Sequence, residues 1–314
     1  MKKFICGFIV FGFLLFIGSP SYAFWIWSPK TGKWSNPKSS VRPNPKEQLR
    51  LAQGLYNQAK YQEAVDEYRK LIKYYPKAYE ASEAQFYIGL SLEKAQKPYE
   101  AYKAYQRVID KYPFSARINE VIEKELAIAE AFMSGEKRKA LGVSLPLENP
   151  AIEILRKIVE NSQYGKNASH AQYLLGMTLK NLSRFQEAQD EFDKVVTTYP
   201  ESEWANPAKF QAADCASKIA PKPEYDQELT QEAKKKFEEF VESKPDASLH
   251  KEAQNKIDAL EEKEAAGNLK IAHFYEKQKK YSSALIYYQE IVQNCPYCVS
   301  AKEARDKVKE LEKK

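Results

Sequence analysis

The stretch KYQEAVDEYRKLIKYYP (60–76) decides the fold, because it comes back. It recurs as KPYEAYKAYQRVIDKYP (97–113), RFQEAQDEFDKVVTTYP (184–200) and KYSSALIYYQEIVQNCP (280–296). Weaker copies are NPAIEILRKIVENSQYG (149–165) and LTQEAKKKFEEFVESKP (229–245). Ala64, Ala101, Ala151, Ala188, Ala233 and Ala284 mark the copies, at spacings of 37, 50, 37, 45 and 51 residues. Such spacing reads as a helix-turn-helix unit of ~34 residues with insertions.

Each phrase makes sense as the second helix of a unit. The small Ala admits a close partner helix. An aromatic four residues later (Tyr68, Tyr105, Phe192, Phe237, Tyr288) lies on the same face and fills the gap between helices. Pro76, Pro113, Pro200, Pro245 and Pro296 then end the helix, which Pro cannot continue. Twelve residues before the Ala stand Gly89 and Gly176, and in other copies Ala52 and Ala272. Gly within a helix costs ~1 kcal/mol relative to Ala. Two at one repeat position therefore point to a tight helix crossing.

These marks resemble the tetratricopeptide repeat: Gly or Ala, then Ala, an aromatic and a Pro at set intervals. The resemblance covers about residues 46–314, with copies near 46–78, 82–115, 117–165, 169–202, 204–247 and 265–298. Copy three departs through the insert SGEKRKALGVSLPLEN (134–149) and lacks the final Pro, and copy five carries APKPEYDQEL (220–229). The expected fold is all-α, a right-handed superhelical α-solenoid of about five to six tetratricopeptide-type helix pairs.

Composition agrees with helices. The 314 residues include only 11 glycines, and Lys and Glu alternate through most of the chain. That pattern is a solvated surface with i,i+4 pairs, so the net charge of +6 does not mark a nucleic-acid binder. Removing Lys2 and Lys3 with the leader leaves +4.

Residues 1–23, MKKFICGFIVFGFLLFIGSPSYA, have the form of a secretory signal peptide. A positive start precedes an apolar run from Phe4 to Gly18, too short for a span of ~20 residues. Pro20 breaks the run, and Ser21 and Ala23 supply the small residues of a cleavage site. An uncleaved anchor is the alternative. Cys6 begins the apolar run instead of following it, so no lipidation cysteine is evident. The protein is expected to be exported to the periplasm, peripheral to the outer membrane.

Two further phrases narrow the resemblance. YPESEWANPA (199–208) and KPDASLHKEA (244–253) share a rhythm, and NLKIAHFYEKQKKYSSALIYYQEIVQNCP (268–296) follows a linking helix around 249–266. Together they resemble the BamD (YfiO-like) family, the assembly subunit of the outer-membrane β-barrel machine. That resemblance implies a non-catalytic scaffold whose N-terminal repeats meet unfolded outer-membrane proteins and whose C-terminal repeats dock on the β-barrel insertase. The alternative is an envelope adaptor similar to the Tol-Pal-associated tetratricopeptide protein, coordinating division or wall synthesis.

First helices line the inner surface of such a superhelix. The register assigns Leu49, Gln53, Tyr56, Phe86, Leu90, Tyr173 and Met177 to a protein-binding groove, able to hold an extended or helical segment. Residues 24–45, FWIWSPKTGKWSNPKSSVRPNP, show neither helical nor strand period and read as an extended arm. Trp25, Trp27 and Trp34 either anchor it in a membrane interface or partner groove, or fold back to cap the first repeat.

Cys295-Pro296-Tyr297-Cys298 spells C-x-x-C at the end of a repeat helix. A thiol-exchange site needs a strand-to-helix setting, so a local disulfide is the leading reading; redox chemistry, a metal or free thiols are the others. Cys215, among small residues, reads as a core thiol. The three histidines have no metal-ligand spacing, and no nucleophile elbow, phosphate loop or dinucleotide fingerprint is present. No enzyme activity, cofactor, metal or small-molecule substrate is expected.

Overall fold

A computed structural model describes residues 25–28, 32–35, 40–135, 139–140, 143–144, 148–219, 227–243 and 247–313. The leader reading of residues 1–23 lies outside them, as does much of the two inserts.

The chain is built of paired helices: α1 (Pro45–Asn57) with α2 (Tyr61–Tyr74), α3 (Tyr79–Lys94) with α4 (Pro98–Lys111), and α5 (Ile118–Met133) with α6 (Pro150–Asn161). Then follow α7 (Ala168–Asn181) with α8 (Phe185–Thr198), α9 (Ala205–Ile219) with α10 (Gln227–Glu242), and α11 (Ala247–Lys277) with α12 (Tyr281–Asn294). A last helix, α13 (Val299–Leu311), covers the end of the stack. Each helix packs chiefly on the next in sequence, the contact pattern of an α-solenoid.

Local signals start the helices. Pro45, Pro98 and Pro150 occupy first-turn positions, where a missing N–H removes no helical bond. Asn44 and Asn149 accept backbone N–H groups at their caps. The turns inside four pairs share one solution. Ala59, Gln96, Ser183 and Lys279, each seven residues past the small Gly or Ala, have φ near +60°. Next to them, the N–H of Lys60, Lys97, Arg184 and Lys280 donates to the carbonyl of Leu55, Leu92, Leu179 and Tyr275. This left-handed closure satisfies carbonyls that the helix end leaves open.

The marker residues sit where the repeat logic puts them. All six alanines of the second helices are fully buried, and so are Tyr68, Tyr105, Phe192, Phe237 and Tyr288. A Cβ added to Gly89 would strike the ring of Tyr105, and one added to Gly176 would lie 2.6 Å from Phe192 Cε1. The small residue of the first helix thus receives the aromatic of the second.

Three parts differ from the sequence expectation. The N-terminal arm is not simply extended: β1 (Ile26–Ser28) pairs antiparallel with β2 (Lys33–Ser35), setting Trp27 opposite Trp34 with ring centroids 5.7 Å apart. A second short pairing, β3 (Lys139–Ala140) with β4 (Val143–Ser144), lies in the copy-three insert. The linking helix and the first helix of copy six are one continuous rod of 31 residues, α11, with no breaker between them.

The interior falls into three apolar clusters. One runs from Ala52 through Cys215, a second joins Phe210, Phe237, Phe240 and Leu260, and a third joins Ala265, Tyr288, Ile291 and Leu311. Helix α9 serves two of them, giving Ala212 and Cys215 to the first and Phe210 and Ala213 to the second.

Candidate functional site

The residues that the register assigns to a groove all lie on first helices, α1, α3 and α7. Leu49, Tyr56, Leu90, Tyr173 and Met177 are partly buried beside the first cluster, and Gln53 is half-exposed. Tyr56 meets Tyr61 and Tyr87 edge-on at 5.6 and 5.9 Å, and Tyr173 lies 5.5 Å from Phe192. Phe86 is the exception. It is 1% exposed, closed in by the rings of Tyr87 and Tyr105 and by the Arg117 guanidinium 5.0 Å over its face. Phe86 is therefore a core residue with no surface to offer a partner.

In copies one, two, four and six the residue one place past the small position is Gln53, Leu90, Met177 and His273. Helix α9 carries a charged residue, Asp214. Its carboxylate, almost wholly buried, meets Lys180 at 2.6 Å, Lys256 at 2.8 Å and Lys218 at 3.0 Å. Burial pushes its pKa up, but the three ammonium groups outweigh that and hold it well below the usual carboxylate range. His273 pairs with Glu303 at 2.9 Å.

Sequence reasoning missed several contributors. Trp204 stacks on His170 at 4.2 Å with planes 7° apart and lies 4.9 Å from Tyr173. Burial lowers the His170 pKa, which favours the neutral imidazole. Gln48, Gln85 and Gln172, four residues before the small position, are buried. They donate to the second helix: Gln48 to the Glu67 carbonyl at 3.1 Å, Gln85 to that of Ala104 at 2.9 Å, and Gln172 to the Glu191 carboxylate. A Gln recurring on an otherwise apolar face was the available signal.

At the N-terminus, Trp25, Trp27 and Trp34 are all exposed. At the other end a disulfide joins Cys295 and Cys298 across the turn between α12 and α13, with Cα atoms 5.4 Å apart. The Glu262 carboxylate of α11 accepts from the Val299 N–H at 2.7 Å, the Ser300 N–H at 3.3 Å and the Ser300 hydroxyl at 2.8 Å. This clamps the start of α13, with the helix dipole favouring the negative charge.

Paired helices with a Gly-on-aromatic crossing define a tetratricopeptide-repeat protein. Tetratricopeptide repeat families match residues 49–116 and 170–202. Residues 210–312 match a more particular family, YfiO, described as outer membrane lipoprotein. The chain is thus a repeat protein whose last third is BamD-like. No curated protein matches it. Among solved structures it is similar to the C-terminal part of a TPR repeat-containing protein from Cytophaga hutchinsonii, at 19% identity over 83% of this chain and 87% of that one, with a TM-score of 0.37. Pseudomonas aeruginosa PilF gives 12% identity over 83% and 96%, TM-score 0.30. YrrB, a TPR protein with an unusual peptide-binding site, gives 17% over 70% and 94%, TM-score 0.34. No helix among the described residues is long and apolar enough to cross a membrane.

Proposed function

We propose that this protein is a non-catalytic scaffold of the cell envelope that assists assembly of outer-membrane β-barrel proteins, binding unfolded client segments and the insertase. The observation that carries the reading is the match of residues 210–312 to the outer membrane lipoprotein family, next to repeats of a protein-binding type. Clients would lie along the first helices of copies one to four, over Leu49, Gln53, Tyr56, Leu90, Tyr173 and Met177. Half-buried apolar groups beside a polar neighbour suit an extended segment, because they add contact area without needing to unfold the scaffold. The C-terminal repeats would hold the insertase. The protein would work in the periplasm, at the outer membrane.

The test is capture from envelope extract with the purified protein as bait, read by mass spectrometry, beside a Leu90→Lys, Met177→Lys variant. Recovery of the barrel insertase, with client recovery falling at least tenfold in the variant, supports the proposal. Recovery of Tol-Pal or wall-synthesis proteins without the insertase overturns it in favour of the adaptor.

A further inference from the structure

The turns between repeats carry a pattern that neither the core nor the groove uses. Tyr75 donates its hydroxyl to the Arg42 carbonyl at 2.6 Å, and Tyr199 donates to the Gln163 carbonyl at 2.9 Å. The first bond ties the turn after α2 to the segment that leads into α1, and the second ties the turn after α8 to the turn after α6. In a stack of like helix pairs, corresponding turns recur along one edge.

Counting from the Pro position (Pro76, Pro113, Gln163), the next residue is Lys77, Phe114 or Tyr164, and the third is Tyr79, Ala116 or Lys166. Phe114 is 101% exposed, Tyr164 92% and Tyr79 73%. Each of the first three turns thus lifts one aromatic ring clear of the protein. Each also has an exposed lysine in it or at its edge, Lys77, Lys111 at the end of α4, or Lys166, with no carboxylate partner among the described residues. The fourth turn reverses the character, with Glu201 and Glu203 exposed in the corresponding places.

We propose that this edge of the first three repeats is a docking surface for an anionic lipid bilayer. Tyr79, Phe114 and Tyr164 stand at separate turns, each ring mostly clear of neighbouring side chains. A headgroup layer receives such rings at any spacing, since aromatic groups favour the interface between water and hydrocarbon. Lysines beside them meet lipid phosphates, and charge complementarity concentrates the protein at the surface. The exposed tryptophans of the N-terminal hairpin carry the same chemistry. The proposal rests on the envelope reading only for its setting; the surface itself is independent of any client.

The experiment is co-sedimentation of the purified full chain with vesicles of phosphatidylcholine containing phosphatidylglycerol, and with phosphatidylcholine alone. Two variants are compared with the parent: Tyr79→Ser, Phe114→Ser, Tyr164→Ser and Lys77→Glu, Lys111→Glu, Lys166→Glu. All six side chains are exposed, and unchanged circular dichroism melting shows that folding is intact. Expected are binding of the parent to the anionic vesicles, a fall of at least tenfold in both variants, and loss of binding in high salt. Equal binding by parent and variants overturns the proposal, as does binding that ignores lipid charge. Parent chain that ignores vesicles but captures an acidic protein through these residues also overturns it. Client capture is read separately, so failure here leaves the scaffold reading standing.

Discussion

At Gly89 and Gly176 the repeat shows why a residue that weakens helices is kept. Each faces the ring of its partner helix, leaving no room for a methyl group. Gly54, two places past the small position of copy one, has nothing within 4 Å of a built Cβ. The same substitution should therefore act in opposite directions. Gly89→Ala should destabilise by about 1–3 kcal/mol through overpacking, whereas Gly54→Ala should stabilise by about 0.5–1 kcal/mol through helix propensity. Chemical denaturation of the two variants checks the signs. The requirement for a small residue was legible in the repeat; the ring that imposes it had to be seen. Phe86 marks the limit of reading by register. It shares its repeat position with the half-buried Leu49 and Tyr173, yet Arg117, held by Glu83 at 3.1 Å and Glu120 at 2.7 Å, closes over it from the next repeat. Spacing within one copy carries no information about such a cover.

Between elements, two buried carboxylates do opposite things. Asp214 on α9 gathers lysines from α7, α9 and α11, so one side chain joins three helices. Asp214→Asn should cost about 3 kcal/mol, the usual penalty for breaking a buried pair. Because its folded pKa is depressed, its stabilising effect is full above the ordinary aspartate value and fades as pH falls below about 4. Melting of parent and variant between pH 3 and 7 should therefore converge toward the acid end. Glu125 on α5 is fully buried, held by the Gln106 amide at 2.9 Å to both oxygens. Burial first, with Asp110 adding, pushes it up to about 8 against the lowering by Gln106. The folded state thus holds a proton that the unfolded chain releases, and stability falls as pH rises from about 4 toward 8. Glu125→Gln should raise the melting temperature at pH 8 and change it little at pH 5. The hairpin at the N-terminus escaped the sequence reading because its strands are three residues each, too short for a period to show. The continuity of α11 escaped it because repeat matching begins a new unit at 265, where the backbone has no reason to break.

For the whole molecule, the paired helices and their order were legible because one phrase repeats with a helical period. The division of the interior was not, since it depends on which face of α9 and α11 meets which neighbour. Three clusters in series imply unfolding in more than one step. Hydrogen exchange should show residues 265–311 opening as a unit with less free energy than residues 52–215, whose cluster is the largest. Uniform protection across both segments would mean that α11 couples them into one cooperative body.

Helix α11 also has a mechanical meaning. Its 31 residues make a rod about 46 Å long. It runs from the phenylalanines of α9 and α10, past the clamp that Glu262 places on the start of α13, to Glu276, which meets Lys307 of α13 at 2.8 Å. A tilt of about 5° at the first end swings the other by about 4 Å, given that length. Force applied at the middle repeats thus arrives at the C-terminal helices as displacement, with no hinge along the way to absorb it.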